Sequence, residues 1–242
     1  MPRSGTTLLA RVVSTELHIP FAPETHFFTY AYRKGEVSLD RLPKEVLEDP
    51  RVAAAYKKIQ GHPRSMETFR LLLHEIIGDA TTIGEKTPAH LVFFSEILKA
   101  DPQVISIATS RDFFEVIESL RKVYWNTAPF SANLRRCIRY HRIAHMTQRH
   151  FRERLLVVDY KKLCEDEQSV MEALAKWLPR GEHRYAQQIF NPAVEPWKSE
   201  ALSDPKVIKR KVPLQRIHLW LTAKLAFMVC NIIWPLKTVH SR

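Results

Sequence analysis

Residues 103–123 read QVISIATSRDFFEVIESLRKV. The apolar run 103–109 predicts a buried strand, and 112–123 (DFFEVIESLRKV) predicts a helix. Between them stands a short polar turn, Ser110-Arg111-Asp112. The succession recurs downstream, with a strand over 154–159 (RLLVVD) and a helix over 166–178. It recurs upstream as well, with a short strand in 81–84 before a helix across 90–99, and an extended piece over 19–23 after a helix over 7–17. Strands alternating with helices predict an α/β fold with a parallel sheet flanked by helices on both faces. Residues 33–80, punctuated by Pro43, Pro50, Gly61-His62-Pro63 and Gly78, read as a helical insertion whose best helix is 65–77, with Ser65 as its cap. The 242 residues suit one domain, 1–242, ending in an apolar helix over 214–236.

In an open parallel sheet, ligands bind beyond the carboxyl ends of the strands. Glu24-Thr25-His26 follows the first expected strand. Glu85-Lys86-Thr87 follows the second, Ser110-Arg111-Asp112 the third and Asp159-Tyr160-Lys161 the fourth. The opening Arg3-Ser4-Gly5-Thr6-Thr7 belongs to the same edge, because it starts a helix that crosses over to a parallel strand. Gly5 permits a tight turn and a close approach by a ligand. The N–H groups of Gly5, Thr6 and Thr7 face an anion at the positive end of the helix, and Arg3 and the hydroxyls of Ser4, Thr6 and Thr7 add charge and donors. An ordinary N-cap by Ser4 or Thr6 is the alternative reading.

Pro2-Arg3-Ser4-Gly5-Thr6-Thr7 resembles the 5′-phosphosulfate loop of sulfotransferases that use 3′-phosphoadenosine 5′-phosphosulfate (PAPS). Arg111 and Ser119, with 112–118 between them, resemble that family's 3′-phosphate site. Residues 155–163 (LLVVDYKKL) resemble its strand-plus-tyrosine segment, which sets Tyr160 near the nucleotide. Glu85-Lys86-Thr87-Pro88 and Glu24-Thr25-His26-Phe27-Phe28 are similar to segments of the carbohydrate and tyrosylprotein branches. The ordered resemblance spans about residues 2–163. A late cofactor loop is its weakest part, at Glu200-Ala201-Leu202-Ser203 and Lys209-Arg210-Lys211. The resemblance implies a P-loop-type sheet, and PAPS as donor with 3′-phosphoadenosine 5′-phosphate (PAP) as product. The donor ligands it implies are Arg3, Ser4, Gly5, Thr6, Thr7, Arg111, Ser119 and Tyr160. It also sets a hydrophobic strand directly before the loop, where only Met1 precedes Pro2 here. The expectation is therefore a chain lacking that first strand, whose activity depends on whether Met1 is the true start.

Sulfuryl transfer needs in-line geometry and charge stabilisation. Arg3 and Lys86 are the candidates for neutralising the leaving phosphate, and Glu24 is the candidate base, with His26 its rival or a substrate contact. A solvated loop lysine and a surface glutamate are the plain alternatives for Lys86 and Glu24. The chemistry needs no metal. His141, His145 and His150 lie on a long basic helix over 131–152, but no carboxylate or cysteine completes a ligand set there.

Lysine and arginine outnumber aspartate and glutamate 37 to 26, an excess that favours an anionic partner without choosing one. Cys137, Cys164 and Cys230 are too scattered for a disulfide framework or a zinc site, and with no signal peptide the expected location is cytoplasmic. Residues 214–236 suit a packed terminal helix, with an interfacial, membrane-touching helix as the alternative. The reading as a whole is a sulfotransferase acting on a hydroxyl or amine, in a small molecule, carbohydrate or glycolipid, with no nucleic-acid partner and no oligomeric state implied. Its rivals are a P-loop kinase of a small metabolite, against which the absent Gly-Lys-[Ser/Thr] argues, and a non-catalytic basic protein that binds anions or membranes.

Overall fold

The structure, a computed structural model, describes residues 1–181 and 216–239. It divides into two compact units. One comprises Met1–Thr6, Gln103–Ala173 and Lys206–Arg242; the other comprises Thr7–Pro102 and Leu174–Pro205. The described strands form three two-stranded sheets, two of them parallel, as the alternation of elements predicts.

In the first unit, β5 (Ser106–Ser110) pairs in parallel with β6 (Leu155–Asp159), from Ser106 opposite Leu155 to Ser110 opposite Asp159. Leu155, Leu156, Val157 and Val158 are all buried, so β6 is covered on both faces, and a continuous apolar run rather than an alternating one is what such a strand requires. Each strand leads into a helix capped by an aspartate at or just beyond the strand's end. Asp112 accepts from the N–H of Phe114 and Glu115 to start α6 (Phe113–Leu120), and Asp159 accepts from the N–H of Lys161 and Lys162 to start α8 (Tyr160–Glu165). Both strand-end acids are thus helix caps. The helix expected over 166–178 forms as α9, Glu167–Leu174. The long basic helix α7 (Phe130–His150) and the C-terminal helix, here α10 (Ile217–Ile233), pack on α6. Their shared core holds Met1, Phe113, Val116, Ile117, Leu120, Cys137, Ala223 and Cys230. Burial pushes the Cys137 thiol up to about 12, and all three cysteines are free.

In the second unit, α1 (Thr6–Leu17) buries Leu8, Leu9, Val12, Val13 and Leu17 and leads to β1 (Phe21–Ala22), which pairs in parallel with β4 (Gly84–Glu85). The segment expected to be wholly helical opens with a hairpin, β2 (Tyr32–Arg33) and β3 (Glu36–Val37). Its two turn residues, Lys34 and Gly35, have φ of 55° and 88°, the left-handed pair a two-residue hairpin needs. Then come α2 (Lys44–Leu47), α3 (Pro50–Lys58) and α4 (Met66–Ile77). Asp49 caps α3 ahead of a proline at its first position, and Ser65 caps α4 by accepting from the Thr68 N–H at 3.1 Å. Phe27 stacks on Phe69 and meets Phe28 edge-on, a buried aromatic cluster in which each ring removed from water stabilises by roughly 2–3 kcal/mol. The helix expected across 90–99 begins as a 3₁₀ turn, Pro88–Phe93, and continues as α5, Phe94–Ala100.

Candidate functional site

The candidate residues form one cluster in each unit. In the first unit, the loop before α1 is held in an unusual conformation. Arg3 has φ 62° and Gly5 has φ 96°, so the backbone on either side of Ser4 is left-handed. Glycine adopts this freely; an arginine held there stores strain of about 1–3 kcal/mol. The ring of Tyr160 lies so close to Gly5 that a β-carbon at that position would overlap it. The same turn aims Arg3 at α6, where its Nε donates to Ser119 Oγ at 2.9 Å. Arg111, at the end of β5, donates from Nη1 to the Arg3 carbonyl at 3.2 Å, and its guanidinium lies 4.1 Å from the centre of the Tyr160 ring. Burial pushes the Tyr160 phenol up to about 12, against the pull of the Arg111 cation, so it stays protonated.

Arg3, Gly5, Arg111, Ser119 and Tyr160 are thus together, as the strand-end reading expects. Ser4 is turned inward: it is fully buried, and its hydroxyl bonds both the Met1 carbonyl at 2.6 Å and Thr109 Oγ1 at 2.5 Å. Its one proton goes to the carbonyl, so it accepts from Thr109 and ties the loop to β5. Thr6 and Thr7 are the first two residues of α1, where backbone N–H groups lack intrahelical partners. One member of the cluster was not anticipated: Glu115 Oε2 accepts from Arg111 Nε at 3.0 Å. It stands one helical turn beyond Arg111, a spacing that foretells an ion pair without telling whether the pair is made.

In the second unit, the ends of β1 and β4 carry a second cluster. Lys86, only 7% exposed, pairs with Glu24 through Oε1, and Glu24 Oε2 lies 3.5 Å from His26 Nε2. His26 also has positive φ, 54°. Burial holds its imidazole below the usual range, although the Glu24 carboxylate pulls the other way, so the ring is neutral at pH 7.

Beneath this trio lies a network the sequence did not reveal. The buried Glu85 carboxylate accepts from the N–H and hydroxyl of Thr25, the N–H and hydroxyl of Thr87, and Nδ1 of His90. His90 Nε2 accepts the Phe28 N–H at 3.2 Å, which assigns its proton to Nδ1. Burial pushes the Glu85 carboxyl up, but His90 beside it and the hydrogen bonds from His90, Thr87 and Thr25 outweigh this and hold it down to about 2. Glu85 therefore clamps the exit of β1 to the exit of β4 and sets Glu24 beside Lys86.

The histidines of α7 have structural partners. His141 Nε2 donates to the Trp234 carbonyl and His145 Nδ1 to that of Pro235, each at 2.8 Å. Among the described residues, no group of three or more His, Cys, Asp or Glu side chains is placed to hold a metal ion. The late loop at 200–203 and 209–211 lies outside the described residues.

Parallel strand pairs with polar and charged clusters at their carboxyl ends define an open α/β protein of the ligand-binding kind. The Sulfotransferase family model matches residues 1–180, and the chain belongs to that family. Sulfuryl transfer is the activity this membership supports. No curated protein and no solved structure matches the chain.

Proposed function

We propose that the protein transfers a sulfuryl group from PAPS to a hydroxyl or amine acceptor, a carbohydrate or glycolipid of the kind used by the carbohydrate branch. The observation that carries this reading is the cluster of Arg3, Arg111, Ser119 and Tyr160. Two guanidiniums, a hydroxyl and a flat ring lie together at the positions where the sequence resemblance expects the donor. The donor set suits the ligand: forked cations for phosphate oxygens, and an aromatic face for the nucleoside.

Arg111 and Ser119 hold the 3′-phosphate, and Arg3 with the N–H groups of Gly5, Thr6 and Thr7 holds the 5′-phosphosulfate. Ser4 braces the loop and does not touch the ligand. The donor supplies SO3: its sulfur–oxygen bond to the phosphate breaks as a bond to the acceptor oxygen or nitrogen forms, and the electron pair stays on the phosphate. Glu24, whose Oε1 pairs with Lys86, takes the acceptor's proton at Oε2. As that proton arrives, the carboxylate loosens its hold on Lys86, whose charge then counters the charge growing on the leaving phosphate. The neutral His26 steadies Glu24 and does not compete for the proton.

The test is thermal stability of the full chain with PAP, against ADP and ATP with magnesium. At 100 times its dissociation constant a ligand stabilises by about 2.7 kcal/mol. A shift with PAP alone that disappears in Arg111→Ala is expected. An equal shift with ADP, or one that needs ATP and magnesium, overturns the reading.

A further inference from the structure

Helix α10 is covered on one side only. Ala223 and Cys230 are buried, and Trp220, Ala226, Phe227 and Trp234 pack against the core shared with α6 and α7. On the other side Leu221, Leu225, Met228, Val229, Ile232 and Ile233 are exposed, Leu225 by 57% and Ile232 by 72%. At 100° per residue these six fall within an arc of roughly 140°. No lysine, arginine, aspartate or glutamate lies on that arc. A contiguous apolar stripe of this length marks a docking surface.

Three features of this face choose the occupant. The first is charge. Helix α7, packed beside α10, has five arginines and no acidic residue. Arg135, Arg139, Arg142 and Arg149 are exposed and fall within a stripe of roughly 80°, with Arg142 reaching across to the Trp234 ring at 5.7 Å. A second copy of the chain would bring like charge against this edge; an anionic partner is attracted to it. The second is the lack of registering groups. His218 and Thr222 are the polar side chains on the arc, and the Thr222 hydroxyl is spent on the His218 carbonyl at 2.8 Å. A protein interface needs such groups to fix its register, whereas lipid does not. The third is length. Among the described residues no helix is long and apolar enough to cross a membrane, and the inner face of α10 is committed to protein. Such a helix suits the plane of a surface and not a crossing of it.

We infer that the exposed face of α10, with the arginine stripe of α7 beside it, seats the protein on an anionic lipid bilayer. The apolar stripe enters the headgroup boundary and the arginines meet lipid phosphates. This inference is independent of the transfer reaction and needs no nucleotide.

The test is flotation of the full chain with vesicles of phosphatidylcholine alone or with about one third phosphatidylglycerol. Flotation with the anionic vesicles is expected, with roughly tenfold weaker association to the neutral ones and further weakening at about 0.5 M salt. Leu225→Asp combined with Ile232→Asp is expected to abolish flotation, with an unchanged melting temperature because both residues are exposed. Arg139→Glu with Arg142→Glu is expected to weaken it several-fold. Should the aspartate pair fail to fold, Leu225→Trp places a reporter on the stripe itself, and a rise in the share of tryptophan fluorescence quenched by brominated lipids reads the same contact; no rise overturns the inference. No flotation with anionic vesicles overturns the inference. So does flotation that survives the aspartate pair, or a wild-type dimer that the pair dissociates.

Discussion

Arg3 Nε donates to Ser119 Oγ at 2.9 Å, joining the phosphate-type loop to the second turn of α6 across 116 positions of sequence. One side of this contact is the N-terminal loop; the other lies eight residues beyond Arg111, roughly 80° past two full helical turns. The bond pre-forms a cationic corner. On the proposed reading, Ser119→Ala is expected to weaken PAP binding about tenfold, the cost of one charge-assisted hydrogen bond, and Arg111→Ala by about a hundredfold. Calorimetric titration measures both.

Glu115 occupies one edge of the Arg111 guanidinium, so an incoming phosphate has to share that fork or displace the carboxylate. Glu115→Gln removes the competing charge. PAP affinity is expected to rise several-fold and its salt dependence to steepen, both read from titrations at two ionic strengths.

Glu24→Gln is expected to lower kcat by about 10²–10⁴-fold while leaving PAP binding intact, since the proposed base does not hold the donor. Lys86→Met is expected to lower kcat by about 10²–10³-fold, and it also removes the cation paired with the Glu24 carboxylate. A combined variant that loses no more than the worse single one identifies the two as a unit.

Acid stability follows from the two histidines and the buried acid. His26 and His141 have folded pKa values lowered below 6.5, mainly by burial, so the unfolded chain binds their protons first. Their contribution is full above pH 6.5 and is lost as pH falls below it. Glu85, lowered from 4.5 to about 2, contributes stability that is full above pH 4.5 and is lost as pH falls towards 2, on the order of 3 kcal/mol. The melting temperature is expected to fall in two stages, and Glu85→Gln to remove the lower one. Glu85→Gln also tests the clamp, because a displaced Glu24 alters the acid limb of the kcat profile.

Gly5→Ala combines a left-handed φ with a β-carbon overlapping the Tyr160 ring. A loss of about 2–4 kcal/mol is expected in wild-type background, read by denaturant unfolding. Part of it is expected to return with Tyr160→Leu, whose smaller side chain relieves the overlap but not the backbone strain.

Much of the framework was legible in the chain itself. The apolar runs before Ser110 and Asp159 and the helical phases after them are local signals, set by side-chain periodicity and by caps that act within three residues. They gave the α/β class, the Ser65 cap and the positions of Arg111, Ser119 and Tyr160. The hairpin at 32–37 leaves little trace in the sequence, because its signal is only a Lys-Gly turn between two very short strands.

The orientation of each polar side chain was another matter. Ser4 read as a donor to a ligand, yet the positive φ of Arg3 and Gly5 rotates it inward to Thr109, 105 residues away. Glu85 read as one more strand-end acid, since charge suggests exposure. Its burial depends on five donors brought in from Thr25, Thr87 and His90. The Glu24–Lys86 pair depends on the register of β1 with β4, in which Ala22 faces Glu85. Local chemistry along the chain determined which elements form and which residues stand at their ends. Only the tertiary structure decided which of those residues are held together, because strand register and the burial of charge are settled by partners distant in sequence.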